Sequence, residues 1–418
     1  MNTDFDVVII GGGAAGIGAA RHLAASGRST LLLEATSRLG GRAWTYEIAG
    51  HRLDLGCGWL HSGDRNAWAQ IAEEAGLPLD RRAAKWGVQH RHLGFSPSEK
   101  KAAGAAFDAW LERISDTPPP SDRAADALPP GGEWNGYIEA ISGFISGARL
   151  ERISVTDYLA YDEASTWSNW RVPTGFGDLI VASLPFGAAV RLSTPAVAIE
   201  IEPEGVAIAT PGGRILAKTA ILTISTAVLA GGAIKLPRAL DAWREAASVL
   251  PLGRNEKLYL EVVGESPFAD ETHVLGNPRD PRTAAYYIRP FGSTAIECFF
   301  GGEGAGMIAE SGPAAGFDYA VDQLVALFGS EARRSLRPLV ASSWSRADRI
   351  GGGYSYALPG HAEARRQLAR PFDDRLFFAG EATSVQDFST AHGAHDSGVR
   401  AAEEALAALQ VRGGGAKR

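Results

Sequence analysis

Six residues, Gly11-Gly12-Gly13-Ala14-Ala15-Gly16, read GxGxxG directly behind an apolar, β-branched run, Phe5–Ile10. That spacing suits a chain that must hold a pyrophosphate. Gly11 permits a tight turn, Gly13 lets the ligand approach the backbone, and Gly16 lets helix and strand pack closely. The unpaired N–H groups of Ala14 and Ala15, at the positive end of a helix dipole, then face the phosphates. Glu34 stands 18 residues after Gly16, at the end of a second apolar run, Thr30–Leu33. A carboxylate there accepts from both ribose hydroxyls and repels a 2′-phosphate. These residues together support dinucleotide binding.

Two further clusters extend the contact. In Arg38-Leu39-Gly40-Gly41-Arg42 a glycine doublet ending at Gly41 exposes more backbone to a long ligand, and Arg38 and Arg42 are suited to its pyrophosphate. In Asp54-Leu55-Gly56-Cys57-Gly58-Trp59-Leu60-His61 small residues such as Gly56 meet the indole of Trp59, as expected beside a flat ring system.

Bulk properties exclude other classes. The chain has 418 residues, 45% hydrophobic and 21% charged, with a net charge of −7, so no basic field recruits nucleic acid or an anionic membrane. Its two cysteines, Cys57 and Cys298, form no CxxC pair, which excludes a disulfide scaffold and a structural zinc site. His90 and His92 lie in a polar stretch, and His392 with His395 lacks a completing ligand, so no metal site is expected. The start MNTDFDVVII has no basic region and no run approaches 18 apolar residues, so a cytoplasmic protein without membrane attachment is expected. An oligomer is possible but not indicated. Glycine is in excess, 50 residues, and 12 of them fall within the first 63.

The stretch Val8–Gly41 and the D-L-G-x-x-W element at Asp54–Trp59 resemble the flavin-dependent amine oxidases, the family of monoamine and polyamine oxidases. So do Leu376-Phe377-Phe378-Ala379-Gly380-Glu381-Ala382-Thr383-Ser384, His392-Gly393-Ala394 and Ser397–Ala402 near the C-terminus. The resemblance covers both ends closely and the middle loosely. It implies FAD, hydride transfer from an amine C–H to flavin N5, hydrolysis of the imine to an aldehyde or ketone, and reduction of O₂ to H₂O₂. Gly380 then lets backbone approach the ligand and Glu381 accepts from ribityl or backbone donors. The last helix, with Ala391 just ahead of Gly393, aims its positive end at the flavin N1–C2=O edge.

Further positions carry over from the middle of the chain. Lys257 matches the lysine near flavin N5, and Val197 the residue whose backbone holds the adenine. Trp344 and Tyr354 match the substrate side, Tyr354 as one wall of a two-ring cage. Monoamine oxidases place a flavin-bonded cysteine where this chain has Gly353, so non-covalent FAD is expected. The opposite cage wall falls at Thr390, where an aromatic belongs; Phe388 or an aromatic from 286–300 is expected to replace it. His61 and His392 are candidates for hydrogen bonds to substrate. Arg171, Arg289, Trp167 and Trp170 are candidate cavity residues, and an arginine there would suggest a carboxylate-bearing substrate. Two alternatives stand beside amine oxidation: a C–C desaturase of the carotene desaturase or protoporphyrinogen oxidase type, and an FAD-binding protein without turnover.

These residues need elements to position them. Phe5–Ile10 and Thr30–Leu33 read as buried parallel strands around a helix from Ala14 to Ala25. Ser96-Pro97-Ser98-Glu99 starts a helix running to about Ile114. Residues 116–133, rich in Pro and Gly, are expected to be a mobile surface loop. Alternating β runs with a hairpin at Pro211-Gly212-Gly213 fill 188–229. Strands are expected at 256–263 and 284–300, helix at 315–328, and a final strand–turn–helix from Leu376 to Leu409. The fold expected is α/β: a Rossmann-like FAD-binding domain (1–80, 172–238 and 346–418) interleaved with an α+β substrate domain (81–171 and 239–345).

Overall fold

The computed structural model describes residues 3–415. Its strands are β1 (Phe5–Ile10), β2 (Thr30–Leu33), β3 (Thr45–Ile48), β4 (His51–Asp54), β5 (Ala189–Arg191), β6 (Ala198–Glu202), β7 (Gly205–Thr210), β8 (Gly213–Leu222), β9 (Asn255–Val262), β10 (Thr272–Leu275), β11 (Ala285–Ile288), β12 (Ala295–Gly301), β13 (Leu336–Ala341) and β14 (Leu376–Phe378).

β1 sits near the middle of the first sheet, parallel to β2 on one side and β8 on the other. β5 extends the parallel set beyond β2, and β14 joins along the far side of β8. Val7, Val8 and Ile9 are fully buried because both faces of the sheet are covered. The antiparallel pairs β8–β7 and β7–β6 complete this sheet. Helices Ala14–Ala24 and Ala391–Gly415 pack side by side against one face, enclosing Ile9, Ile221 and Phe377. Their contact explains two glycines. A Cβ on Gly398 would lie 2.0 Å from the carbonyl oxygen of Ala15, and one on Gly18 would lie 2.8 Å from that of His395.

The second sheet is antiparallel, in the order β10-β11-β12-β9-β13. Its even-numbered residues on β9, Leu258, Leu260 and Val262, join Tyr286, Ile288, Ile296, Cys298 and Phe300 in one apolar cluster. Helices Gly302–Ser311 and Pro313–Phe328 cover that face. The odd-numbered residues Lys257 and Tyr259 point the other way, as the two-residue period requires. They share this face with Glu297 and Phe299 on β12, Tyr287 on β11 and His273 on β10.

Three local expectations need correction. Residues 284–300 form two strands, β11 and β12, separated by a turn through Arg289–Gly292. The 116–133 segment is anchored rather than free: Ala124 is fully buried and its carbonyl accepts from the Trp110 indole at 3.1 Å. Asp122 in the same segment accepts from Ser154, Thr156 and Gly360. Helix Asp241–Ser248, expected in the substrate domain, packs instead with Leu229, Leu368 and Ala382 beside the first sheet.

Gly398→Ala places its new methyl against backbone that cannot move aside. It is expected to destabilise the fold by about 2 kcal/mol or more, lowering the melting temperature. Gly104→Ala is the control: it lies in helix Pro97–Asp116 with nothing within 4 Å of the added carbon, so it is expected to be neutral or mildly stabilising. Equal melting temperatures for the two variants would contradict the packing argument.

Candidate active site

The site forms where loops from the two sheets meet. Behind β1, Gly11 adopts φ +113°, a left-handed value that a side chain resists. Helix Ala14–Ala24 starts at Gly13 with no side-chain cap and no acidic residue in its first turn, so the N–H groups at Ala14 and Ala15 face outward unpaired. The Gly40–Gly41 loop crosses directly over this point, with a Cβ on Gly41 only 3.3 Å from Gly13 Cα. Gly16 is the packing glycine, since its Cβ would fall 1.9 Å from Gly11 O.

Glu34 is buried at the end of β2. One carboxylate oxygen accepts from Gly12 N–H at 2.8 Å, the other from the Thr36 N–H and hydroxyl at 2.8 and 2.7 Å. Arg38 is half-buried beside it, bonded to the carbonyls of Gly41 and Leu39 and lying 4.4 Å over the Trp44 ring. Burial holds its pKa below the usual guanidinium range, with the Glu34 charge opposing. Arg38 has no carboxylate within salt-bridge distance among the described residues. A desolvated cation without a counterion, beside outward helix N–H groups, is the complement of a diphosphate.

Arg42 connects the motifs. Its Nη1 donates to Gly353 O at 2.6 Å and to Glu381 Oε1 at 2.9 Å. Glu381 is 4% exposed and also accepts from Ser355 N–H, Ser355 hydroxyl and Ser389 N–H. Burial alone would raise its pKa; the Arg42 and Arg365 charges and these bonds outweigh that and hold it low. Gly380, at φ +127°, makes the turn that delivers Glu381. Gly56 is a packing glycine as well: its Cβ would lie 1.7 Å from Arg42 O.

Lys257 is buried on the open face of the second sheet. Its ammonium lies 3.1 Å from Asp54 O and 3.2 Å from Glu297 Oε1, and a Cβ on Gly58 would be 2.9 Å from it. Tyr259 OH bridges the same two groups at 3.0 Å each. Asp54's carboxylate points away, accepting from Thr45 and from the Phe176 and Gly177 N–H groups.

Tyr354 stands on the substrate side, its hydroxyl donating to Phe144 O. Burial pushes its pKa well above the usual phenol value, so the ring stays neutral. Phe144 packs on Phe299 with centroids 5.6 Å apart. Phe299 is cross-strand from Lys257.

Several assignments move. Trp344 does not flank Tyr354: its indole donates to Leu55 O at 2.9 Å and packs with Leu53, Tyr259 and Trp44, supporting the Arg38 and Asp54 loops from below. Thr390 caps the last helix, bonding Asp387 O and Gly393 N–H, so its small hydroxyl serves the backbone. Phe388 is 4% exposed beneath the Arg365 guanidinium, 3.5 Å away, and is closed off as a wall. Val197 has both backbone groups occupied, by Ala209 and Lys235; Ala196, one residue earlier, bonds neither group to another described residue. Trp59 turns toward Trp86 and Arg171. Ala391 opens the last helix, and its carbonyl accepts from the Trp68 indole at 2.8 Å.

His61 and His392 lie close together. His61 Nδ1 is 2.8 Å from Asn169 Oδ1, which assigns the proton to Nδ1 and leaves Nε2 an acceptor. His392 is buried between Asn66 and Asp387, and Asp387 is paired with Arg65. Burial lowers His61 to about 4, with Asn169 opposing and His392 adding. Phe299 falls in the 286–300 range expected to supply an aromatic, whereas Phe144 and Glu297 carried no local signal; only pairing and packing with other elements bring them here.

The profile of the flavin containing amine oxidoreductases matches residues 14–95 and 87–406. The chain belongs to that family, and is a flavin-dependent amine oxidase: an oxidoreductase acting on CH–NH or CH–NH₂ groups. A pseudooxynicotine dehydrogenase from a Pseudomonas species is 27% identical, over 91% of this chain and 82% of its own length. Polyamine oxidase 2 of Arabidopsis thaliana is 28% identical, over 95% and 87%. A putrescine oxidase redesigned in its cofactor binding superposes with a TM-score of 0.75 at 18% identity, covering 96% of this chain and 99% of that one, which establishes the shared fold.

The histidines set an acid limit. His61 and His273 both sit at about 4, lowered chiefly by burial, against about 6.5 when unfolded. Between those values the unfolded chain binds more protons, so stability falls as pH drops from about 6.5 to 4. Each contributes roughly 3 kcal/mol across that window. Melting temperature measured against pH should slope steeply there, and His61→Gln with His273→Gln should flatten it. An unchanged slope would contradict the burial argument.

Proposed function

We propose that the protein binds FAD non-covalently and oxidises an amine next to Lys257, with O₂ as the electron acceptor. The observation that carries this reading is the buried Lys257 ammonium, fixed between Asp54 O and Glu297 at the meeting point of the glycine loops. Arg38, Ala14, Ala15 and Gly13 would hold the pyrophosphate, and Glu34 the adenosine ribose. Ala196, with its free backbone groups, replaces Val197 as the residue facing the adenine. Arg42 and Glu381 would support the ribityl side, with the N-terminus of the last helix beyond them. When bound, the flavin supplies the hydride acceptor.

The chain's own residues orient and desolvate. Tyr354 and the Phe144–Phe299 pair form the apolar walls, with Phe299 in place of the aromatic absent at Thr390. His61, neutral with Nε2 free to accept, suits an amine N–H donor. The reacting amine must be uncharged, so activity should rise with pH through the bound amine's pKa. Lys257 would hold water and positive charge where O₂ is reduced. Gly353 leaves no thiol at the position of covalent attachment, and a Cβ there would already lie 2.9 Å from Asn255 Oδ1.

Two measurements check this reading. Acid precipitation should release all the flavin as FAD, leaving polypeptide of the unmodified mass; flavin retained on the chain would refute non-covalent binding. In Lys257→Met, amines should still bleach the flavin anaerobically, while reoxidation by O₂ slows by roughly 10-fold or more, the scale of losing one positioned charge or proton donor. Unchanged reoxidation would remove Lys257 from the oxygen step.

A further inference from the structure

Arg171 is 8% exposed, yet two of its three guanidinium nitrogens, Nε and Nη1, have no hydrogen-bond partner and no contact with solvent. Only Nη2 is engaged, with Asp80 and with Glu271 at 3.4 Å. Buried donors are rarely left unmet, because each costs its full desolvation. Three rings surround the guanidinium: Trp59 at 5.3 Å, Tyr287 at 4.8 Å and Phe291 at 4.3 Å. His273 stacks on Tyr287 at 4.2 Å and 12°.

This group lies on the same face of the second sheet as Lys257. Tyr287 pairs with Glu297, which holds Lys257, and all three project from the open face of the second sheet. β11 and β9 flank β12, so Tyr287 lies about 10 Å from the Lys257 column, two strand spacings. Trp59 belongs to the same loop as Gly58, against which the Lys257 ammonium rests.

Charge balance decides what is missing. Arg171 and Arg82 face Asp80 and Glu271: Arg82 lies 2.8 Å from Asp80 and 3.3 Å from Glu271. Within this bonded set two cations meet two anions, and what Nε and Nη1 of Arg171 lack is an acceptor. A ligand carboxylate would add a third anion, and a second ammonium would meet unpaired N–H groups. The cover is Phe291, 46% exposed, whose N–H donates to Glu271. Phe291, Arg289 and Glu271 all adopt left-handed φ values, +57°, +49° and +55°. Such clustered backbone strain is typical of ligand clamps.

We propose that Arg171 recognises the far end of the amine substrate, that this end is a flat ring bearing an uncharged hydrogen-bond acceptor, and that Phe291 closes over it. This corrects the carboxylate expected from an arginine here, and it rests on the amine-oxidation reading above.

The holoenzyme is tested with three amines of equal length, 3-phenylpropylamine, its 3-pyridyl analogue and its carboxyphenyl analogue, together with spermidine. The pyridyl amine should exceed the phenyl amine about ten-fold or more in kcat/KM, since a site built to bond an acceptor rejects the analogue lacking it. In Arg171→Met that ratio should collapse to within about two-fold. Should that variant fail to fold, competitive inhibition of the wild-type enzyme serves in its place, with acetophenone binding about ten-fold tighter than ethylbenzene. Equal kcat/KM for pyridyl and phenyl amines, both bleaching the flavin, overturns the inference and leaves amine oxidation standing. Preference for the carboxyphenyl amine overturns it in favour of an anion site, and preference for spermidine in favour of a cation site. Failure of all four to bleach the flavin overturns the amine-oxidation reading, and this inference with it.

Discussion

Arg42 and Glu381 are 339 residues apart and share an ion pair at 2.9 Å, with Glu381 buried and Arg42 half-buried. Nearly every feature of the cofactor side depends on it. Arg42 also fixes Gly353, and Glu381 collects donors from Ser355 and Ser389, so one carboxylate gathers four segments of chain. Burying such a pair costs more desolvation than its attraction alone returns unless the remaining lone pairs are met, and here they are. Arg365 and Asp157 repeat the device at 2.6 and 2.8 Å, joining a helix of the 81–171 segment to the C-terminal motif. These pairs serve register more than stability. They bring the ends of the chain to a common point, where helices Ala14–Ala24 and Ala391–Gly415 pack together.

The second sheet answers a different requirement. One face must be apolar to bury helices Gly302–Ser311 and Pro313–Phe328, and the other must carry groups that touch substrate. A strict two-residue period satisfies both on β9, where Leu258 and Leu260 go inward while Lys257 and Tyr259 face the cavity. Lys257 can stay buried because two oxygens, Asp54 O and Glu297 Oε1, meet its ammonium, and the Tyr259 hydroxyl ties those same two groups together. A shift of register by one residue would exchange the lysine for a leucine.

Legibility in the sequence follows this division. The GxGxxG turn, Glu34, Arg42 and Glu381 sit in short glycine-bearing motifs, so type and spacing mark them, although the pairing of Arg42 with Glu381 leaves no local trace. Thr390, Trp344 and Phe388 stood in the right segments, but their roles depend on side-chain direction. Thr390 turns to cap a helix, Trp344 turns under the Asp54 loop, and Phe388 turns beneath Arg365. Val197 has its backbone groups bonded to Ala209 and Lys235, which no pattern in the sequence shows. Phe144 and Glu297 were invisible because no local pattern marks a residue that matters only through a partner element, and Phe299 was narrowed only to an aromatic within 286–300. The 116–133 segment misled through composition: its prolines shape a path over the core, and buried Ala124 pins it.

Strain is distributed as unevenly as the ion pairs. On the cofactor side the positive φ values at Gly11, Gly40, Gly41 and Gly380 fall on glycine, which adopts them at little cost, with Ser389 at +63° beside Glu381 an exception. Around Arg171 they fall on Glu271, Arg289 and Phe291, which do not. The first arrangement fits a surface built once around a ligand that does not change. The second fits a surface held out of its preferred geometry by a few bonds to Glu271, and so one that contact with an incoming group can rearrange. Because Glu271 bonds Arg171, Arg82, Tyr287 and the Phe291 N–H together, movement of the Phe291 turn is coupled to the guanidinium beneath it. If Arg171 meets the far end of the substrate as proposed, selectivity there would change through this turn while the Gly11–Gly16 loop and Lys257 stay as they are.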